Sequence, residues 1–175
     1  MTNAVTTFET WLKRVLSVIC VVLFATLVLL VTWQVFTRLV LGDPSIWTEE
    51  LARYTFVWVS LIGIAIAVGE KADVVMEFVV ERLPRALQRV ADVLAYGTTL
   101  AFVLYVMVFG GIEQTMQGWT QRNPVLPLTQ GQLYLAIPIS GVLLTLFLLL
   151  HLGRTLAPGY AGREGFHEDP TAAGA

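Results

Sequence analysis

From Val15 to Thr37 the chain carries no Asp, Glu, Lys, Arg or His. A helix rises about 1.5 Å per residue, so about 20 apolar residues cross a hydrocarbon core of about 30 Å. Three comparable stretches follow, and four spans within 175 residues leave almost no chain for a soluble domain. The sequence therefore predicts an all-α membrane protein with four transmembrane helices.

Composition agrees where it bears on class. Apolar residues make up 56% of the chain and charged residues 14%, against about 25% in soluble proteins. The net charge of −2 gives no sign of a nucleic-acid partner. Cys20 is the only cysteine, so an internal disulfide and a multi-cysteine metal site are both excluded. Lys13 and Arg14 ahead of the first apolar run resemble a secretory signal. The run is too long for one, and no small-residue cleavage site follows before Gln34 and Arg38. It reads as a retained span.

We expect the spans at about 15–39, 46–69, 90–112 and 130–152. Asp43 or Ser45 can cap the second helix, and Pro44 suits its first turn. Glu49 and Glu50 then lie at the positive end of its dipole. Gly110-Gly111 is expected to close the third span. Thr129 and Gln132 form a capping box for the fourth, and Pro138 is expected to kink it. These spans form a single four-helix transmembrane domain, 1–156, followed by a flexible cytoplasmic tail, 157–175, rich in Gly, Ala and Pro.

Charge sets the expected orientation. Lys13, Arg14, Lys71, Arg82, Arg85, Arg89, Arg154 and Arg163 fall on the side holding both termini, and only Arg38, Arg53 and Arg122 on the other. By the positive-inside rule both termini are cytoplasmic, in a multi-pass protein of a bacterial inner membrane. In the link between spans two and three, Val74, Val75, Phe78 and Val79 recur at helical spacing, with Asp73, Glu77, Glu81 and Arg82 on other faces. This predicts a short interfacial helix broken at Pro84, the alternative being a cytoplasmic extension of the second helix. No internal repeat is visible.

The middles of the spans carry only mild polar groups: Thr26, Thr32, Ser60, Thr98, Thr99, Ser140 and Thr145. Such hydroxyls more often bond back to their own helix than line a pathway. A proton or ion path needs buried charge, and haem needs facing axial ligands. His151 ends a span and His167 lies in the tail. No catalytic constellation, cofactor site or metal site is expected, which leaves a scaffold rather than an enzyme. Gly63 with Ala67, and Ala65 with Gly69, have the small-xxx-small spacing of closely packed helices, either within the bundle or against a partner.

Two outer segments carry the strongest local signals. In Trp47-Thr48-Glu49-Glu50-Leu51-Ala52-Arg53-Tyr54, Arg53 follows Glu49 by four residues and Glu50 by three, so it can pair with either. Trp47, Tyr54 and Trp58 fit an aromatic belt. In Trp119-Thr120-Gln121-Arg122-Asn123-Pro124-Val125-Leu126-Pro127 two prolines stiffen a loop leading to Tyr134. Such a loop docks a protein partner or simply leads into the fourth span.

Taken in order, Trp-Thr-Glu-Glu-Leu-Ala-Arg-Tyr, Trp58, Gly63, Leu83-Pro84, Trp119…Pro124…Leu126 and Tyr134…Ile137-Pro138 resemble the small membrane subunit of TRAP transporters (tripartite ATP-independent periplasmic, DctQ-like). The resemblance covers roughly Leu12 to Leu152. It implies a sodium-coupled importer of organic acids, a periplasmic solute-binding protein and a large membrane subunit that holds the substrate site and moves as an elevator. The small subunit is implied to be a static brace in membrane lipid. Its candidate partner contacts are Trp47, Glu49, Glu50, Arg53, Trp58, Gly63, Trp119, Arg122 and Tyr134. The competing readings are a free-standing homodimeric four-helix carrier and the anchor subunit of a membrane redox enzyme.

Overall fold

Nothing in hydrocarbon can satisfy a backbone N–H or C=O, so each apolar segment must close its own hydrogen bonds. In the computed structural model, which describes residues 2–43, 45–70 and 84–156, every such segment is helical. Helix α1 (Thr2–Phe36) runs on through a π-helical turn, Thr37–Leu41. It ends where Gly42 takes φ 68°, a left-handed conformation that glycine adopts without a Cβ clash. Helix α2 (Ile46–Gly69) returns antiparallel to it. Helix α3 (Arg85–Phe102) continues through a π-helical stretch, Val103–Gly110, into α4 (Gly111–Gly118). A short α5 (Gln130–Tyr134) and a long α6 (Ala136–Leu156) complete the chain.

Four of the resulting rods are long and apolar enough to cross a membrane: Thr7–Leu41, Ile46–Gly69, Ala86–Gly118 and Gln130–Leu156. Among the described residues the only β pairing is one isolated bridge, Arg122 with Thr129. The interfacial helix expected around Val74–Val79 and the tail from 157 onward lie outside the described residues.

Several local expectations meet the structure directly. The capping box is present: the Gln132 N–H donates to Thr129 Oγ1 at 3.4 Å, and the Thr129 N–H donates to Gln132 Oε1 at 3.0 Å. Pro138 has no N–H to offer one turn back, and the fourth span is interrupted at Leu135 between α5 and α6. Ser45 does sit at the start of α2, but its side chain makes no cap. Thr48 instead donates its hydroxyl to the Ser45 carbonyl at 2.8 Å.

Gly110-Gly111 does not end the third helix, which runs on to Gly118. Both glycines keep right-handed helical angles. Gly111 serves packing instead, since a Cβ there would come within 3.0 Å of Ile137 and 3.1 Å of Pro138. The first helix is likewise longer than its charge-free core, because it begins well before Lys13 and Arg14.

Helices α2 and α6 form the centre. On one side Ile62 and Phe147 meet Leu16 of α1, with Trp58, Ile66 and Leu143 around them. On the other Ala65, Leu144 and Leu148 meet Val103, with Tyr96, Leu100 and Met107 alongside. The outer helices contribute little surface: 44% of the fourth span's apolar window is buried but only 6% of the first and of the third. Along α1 from Cys20 to Leu41, only Cys20, Leu23, Leu27, Leu30, Gln34 and Thr37 escape full exposure. Their steps of three and four residues describe a single narrow seam, as in a coiled coil.

The small residues divide between two faces. Ala65 is fully buried, and a Cβ on Gly69 would lie 3.2 Å from the Phe147 ring. That pair packs the bundle itself. Gly63 has nothing within 4 Å of its Cβ position and Ala67 is exposed, so the other pair faces outward.

The closest approach lies between α4 and α5. A Cβ on Gly131 would come within 2.6 Å of the Thr115 carbonyl oxygen and 2.8 Å of the Trp119 backbone. Backbone cannot swing aside as a side chain does. Gly131→Ala is expected to cost about 1–3 kcal/mol and lower the thermal midpoint of the detergent-solubilised chain. Gly63→Ala, with open space and a residue about 1 kcal/mol better suited to helix, should hold or raise it. Identical melting of both variants would contradict this packing.

Candidate partner interface

The end of the bundle opposite the termini gathers polar groups from α2, the 119–129 loop and α5. The first turns of α2 place Glu49, Glu50 and Arg53 one turn apart. Arg53 lies 3.7 Å from Glu49 and 3.3 Å from Glu50. These two ion pairs are not equivalent. The Arg53 and Glu49 side chains are 63% and 59% exposed, whereas Glu50 is only 19% exposed and turns inward. Glu50 accepts a hydrogen bond from Asn123 Nδ2 at 3.2 Å.

Asn123 is the hub of this end. Its Oδ1 accepts from the N–H groups of Val125 at 2.8 Å and Leu126 at 2.9 Å, closing a turn over Pro124. Its own N–H donates to the Leu128 carbonyl at 3.0 Å, and the Gln130 N–H donates to Gln121 at 2.8 Å. Tyr54 donates to Gln130 Oε1 at 3.0 Å and lies 3.5 Å from Asn123 Nδ2. The loop is thus tied at both ends and through its middle to α2.

Trp47, Trp119, Arg122 and Tyr134 lie at the same end of the bundle as this hub. Trp47 and Trp119 are each 51% exposed, and Arg122 is exposed on the bridge to Thr129. Tyr134 is partly buried, with its ring beside Gly118. Trp58 and Gly63 do not belong here. Trp58 packs against Leu16, Ile62 and Phe147 inside the bundle, so it is no part of an outward aromatic belt.

Sequence reasoning passed over Asn123 itself, although an asparagine before proline in a loop is a turn-forming signal. It also passed over a second polar cluster at the terminal end. There Glu9, 6% exposed, sits 2.9 Å from Lys13 and receives a two-pronged contact from Arg154, through Nη1 to Oε1 at 3.4 Å and through Nη2 to Oε2. His151 is buried, places Nε2 3.0 Å from the Val68 carbonyl oxygen and stacks on Tyr96 at 5.8 Å. Arg89 donates to the Leu156 carbonyl at 2.7 Å, and Gln88 and Asp92 are buried nearby on α3. No spacing rule announces these contacts, since 145 residues separate Glu9 from Arg154.

Between the two clusters four of the hydroxyls serve their own helices. Thr26 donates to Val22 at 2.9 Å, Thr32 to Val28 at 2.8 Å and Thr145 to Gly141 at 2.8 Å. Ser140 donates to Ala136 and Ile137. Among the described residues no three His, Cys, Asp or Glu side chains group to hold a metal ion. The arrangement binds helices to one another and presents an ordered polar end.

Residues 27–157 match the family described as "Tripartite ATP-independent periplasmic transporters, DctQ component". The chain is 29% identical over 131 residues to the sialic acid TRAP transporter small permease protein SiaQ of Vibrio cholerae, covering 75% of each chain. It is 26% identical over 148 residues to a putative TRAP transporter small permease protein of Haemophilus influenzae, covering 83% of this chain and 90% of that one. It is also 27% identical over 111 residues to the isethionate TRAP transporter permease protein DctMQ of Oleidesulfovibrio alaskensis, where 62% of this chain matches 17% of that protein.

Removing the hub should loosen the loop without unfolding the bundle. Asn123→Ala leaves two loop N–H groups and the inward-turned Glu50 carboxylate without their Asn123 partner, a loss of about 1–3 kcal/mol. Limited proteolysis should then cut between 121 and 129. Arg53→Ala removes both ion pairs of an exposed guanidinium, costs about 0–1 kcal/mol, and should leave the loop resistant. A loop that stays protected in Asn123→Ala would remove Asn123 from this role.

Proposed function

The chain belongs to the DctQ-component family of tripartite ATP-independent periplasmic transporters, and from that premise we propose that it is the static small subunit of a sodium-coupled importer of organic acids. It is a multi-pass permease component and not an enzyme. In this reading a large membrane subunit holds the substrate and sodium sites, a periplasmic binding protein delivers the acid, and this chain braces the moving parts.

The observation that carries the reading is the distribution of polar groups within a member of this family. Charged and amide groups gather at the two ends of the bundle, while Thr26, Thr32, Ser140 and Thr145 between them donate to their own backbone. A substrate path through this chain would need the opposite arrangement. Relatives named for sialic acid and for isethionate support an organic anion as the cargo. In DctMQ the matched stretch is 17% of one permease chain, which supports a large permease as the constant companion. The loop end, with Trp47, Arg53, Trp119 and Arg122 exposed, is the side we assign to the binding protein.

The lysine and arginine asymmetry supports cytoplasmic termini in a bacterial inner membrane. Reporter fusions after Leu41, Lys71, Arg122 and Ala175 should report outside, inside, outside and inside in turn. A cytoplasmic signal after Arg122 would invert the assignment.

Proteoliposomes holding both membrane subunits, with binding protein and an imposed sodium gradient, test the function. Uptake should require all three proteins and the gradient. Arg53→Ala or Trp119→Ala should lower binding-protein-dependent uptake, whereas Thr26→Val should leave substrate selectivity unchanged. A change of selectivity from Thr26→Val in an intact complex would refute the brace.

A further inference from the structure

Twenty residues without charge separate Asp92 from Glu113 in the third span. At about 1.5 Å each they match a hydrocarbon core of about 30 Å. Tyr105 therefore has its Cα about 4 Å past the middle and about 11 Å short of the nearer boundary. A phenol hydroxyl stands about 6–7 Å from its own Cα, too little to reach that boundary. Side chains also lean toward a helix's N-terminus, which here carries the ring back toward the midplane.

The ring points out of the bundle. Tyr105 is 78% exposed and its hydroxyl makes no hydrogen bond among the described residues. Thr26 and Thr32, also exposed at depth, donate to their own helices. A tyrosine cannot do the same, because its hydroxyl stands clear of the backbone. A lipid tail offers no acceptor, and an unbonded hydroxyl in such surroundings costs about 1–3 kcal/mol on protein scales.

The ring also stands in a ridge. Phe102, Tyr105, Phe109, Ile112 and Met116 follow one another at steps of three and four residues, and all are exposed. Aromatic and Met side chains are the types that anchor interface cores. The π-helical stretch Val103–Gly110 lies within this ridge, and such turns recur at functional positions in helices.

Resting on the subunit reading above, we propose that this ridge seats the large membrane subunit, with the Tyr105 hydroxyl donating to an acceptor of that subunit near the membrane midplane. The hydroxyl distinguishes this face from the exposed side of α1. There the apolar side chains suit lipid, and the threonines are already satisfied. A protein helix can present a carbonyl, a hydroxyl or an amide at this depth; a lipid chain cannot.

The test uses the two membrane subunits co-expressed and purified together in nanodiscs. A photoreactive residue at position 105 should form adducts with the large subunit, and one at position 29, on the exposed face of α1, should form them with lipid. Tyr105→Phe removes only the hydroxyl and should weaken subunit association about three- to tenfold. In the isolated chain the same change should hold or raise the melting midpoint, because it deletes an unbonded group. Adducts at 105 confined to lipid or to a second copy of this chain would overturn the proposal, as would unchanged subunit affinity in Tyr105→Phe. Failure of the unmodified chains to co-purify would overturn the subunit reading and the proposal together. An intact pair lacking adducts at 105 would overturn the proposal alone.

Discussion

A lipid tail is as apolar as a leucine side chain, so apolar burial alone gives these helices little reason to prefer one another to their surroundings. Cohesion must come from close approach and from polar contacts that hydrocarbon cannot offer. Both are visible. Ala65, Gly69, Gly111, Gly131 and Gly141 let backbones come together along α2, α4, α5 and α6. At the ends, where water softens the cost of charge, Asn123 with Glu50 and Arg154 with Glu9 clasp segments distant in sequence. The middle of the bundle is left to shape.

That division explains how unevenly the bundle leans on its helices. The fourth span is the most enclosed and contacts both clusters of the core, while the first touches its neighbours along one seam. Surface of this kind, apolar and unclaimed on α1 and α3, is what a subunit embedded among lipids and other helices requires.

Features governed by local periodicity were legible in the residues alone. The four spans, the Thr129–Gln132 box and the reach of Arg53 to both glutamates all follow from spacing within a few turns. Features governed by tertiary contact were not. Gly110-Gly111 reads as a stop, but the close face of α6 makes Gly111 a packing surface inside a continuing rod. Gly63 and Ala65 are two positions apart and so about 200° apart around the helix axis. Spacing alone could not say which faced the bundle. Tyr105 was illegible for the same reason: depth can be counted along a sequence, but direction cannot. Glu9 and Arg154 offered no pattern at all across so long a separation.

That separation has a consequence for how the protein is made. In chain order Glu9 lies on the first of the described helices, and Arg154 on the last. At roughly 5–20 residues per second, about 7–30 s pass between the two. During that interval Lys13, one turn along the same helix and 2.9 Å away in the finished structure, is the cation already at hand. A carboxylate held at a membrane surface by a local partner can wait for a distant one. Lys13 can thus hold Glu9 until Arg154, 145 residues further along, is in place to share it.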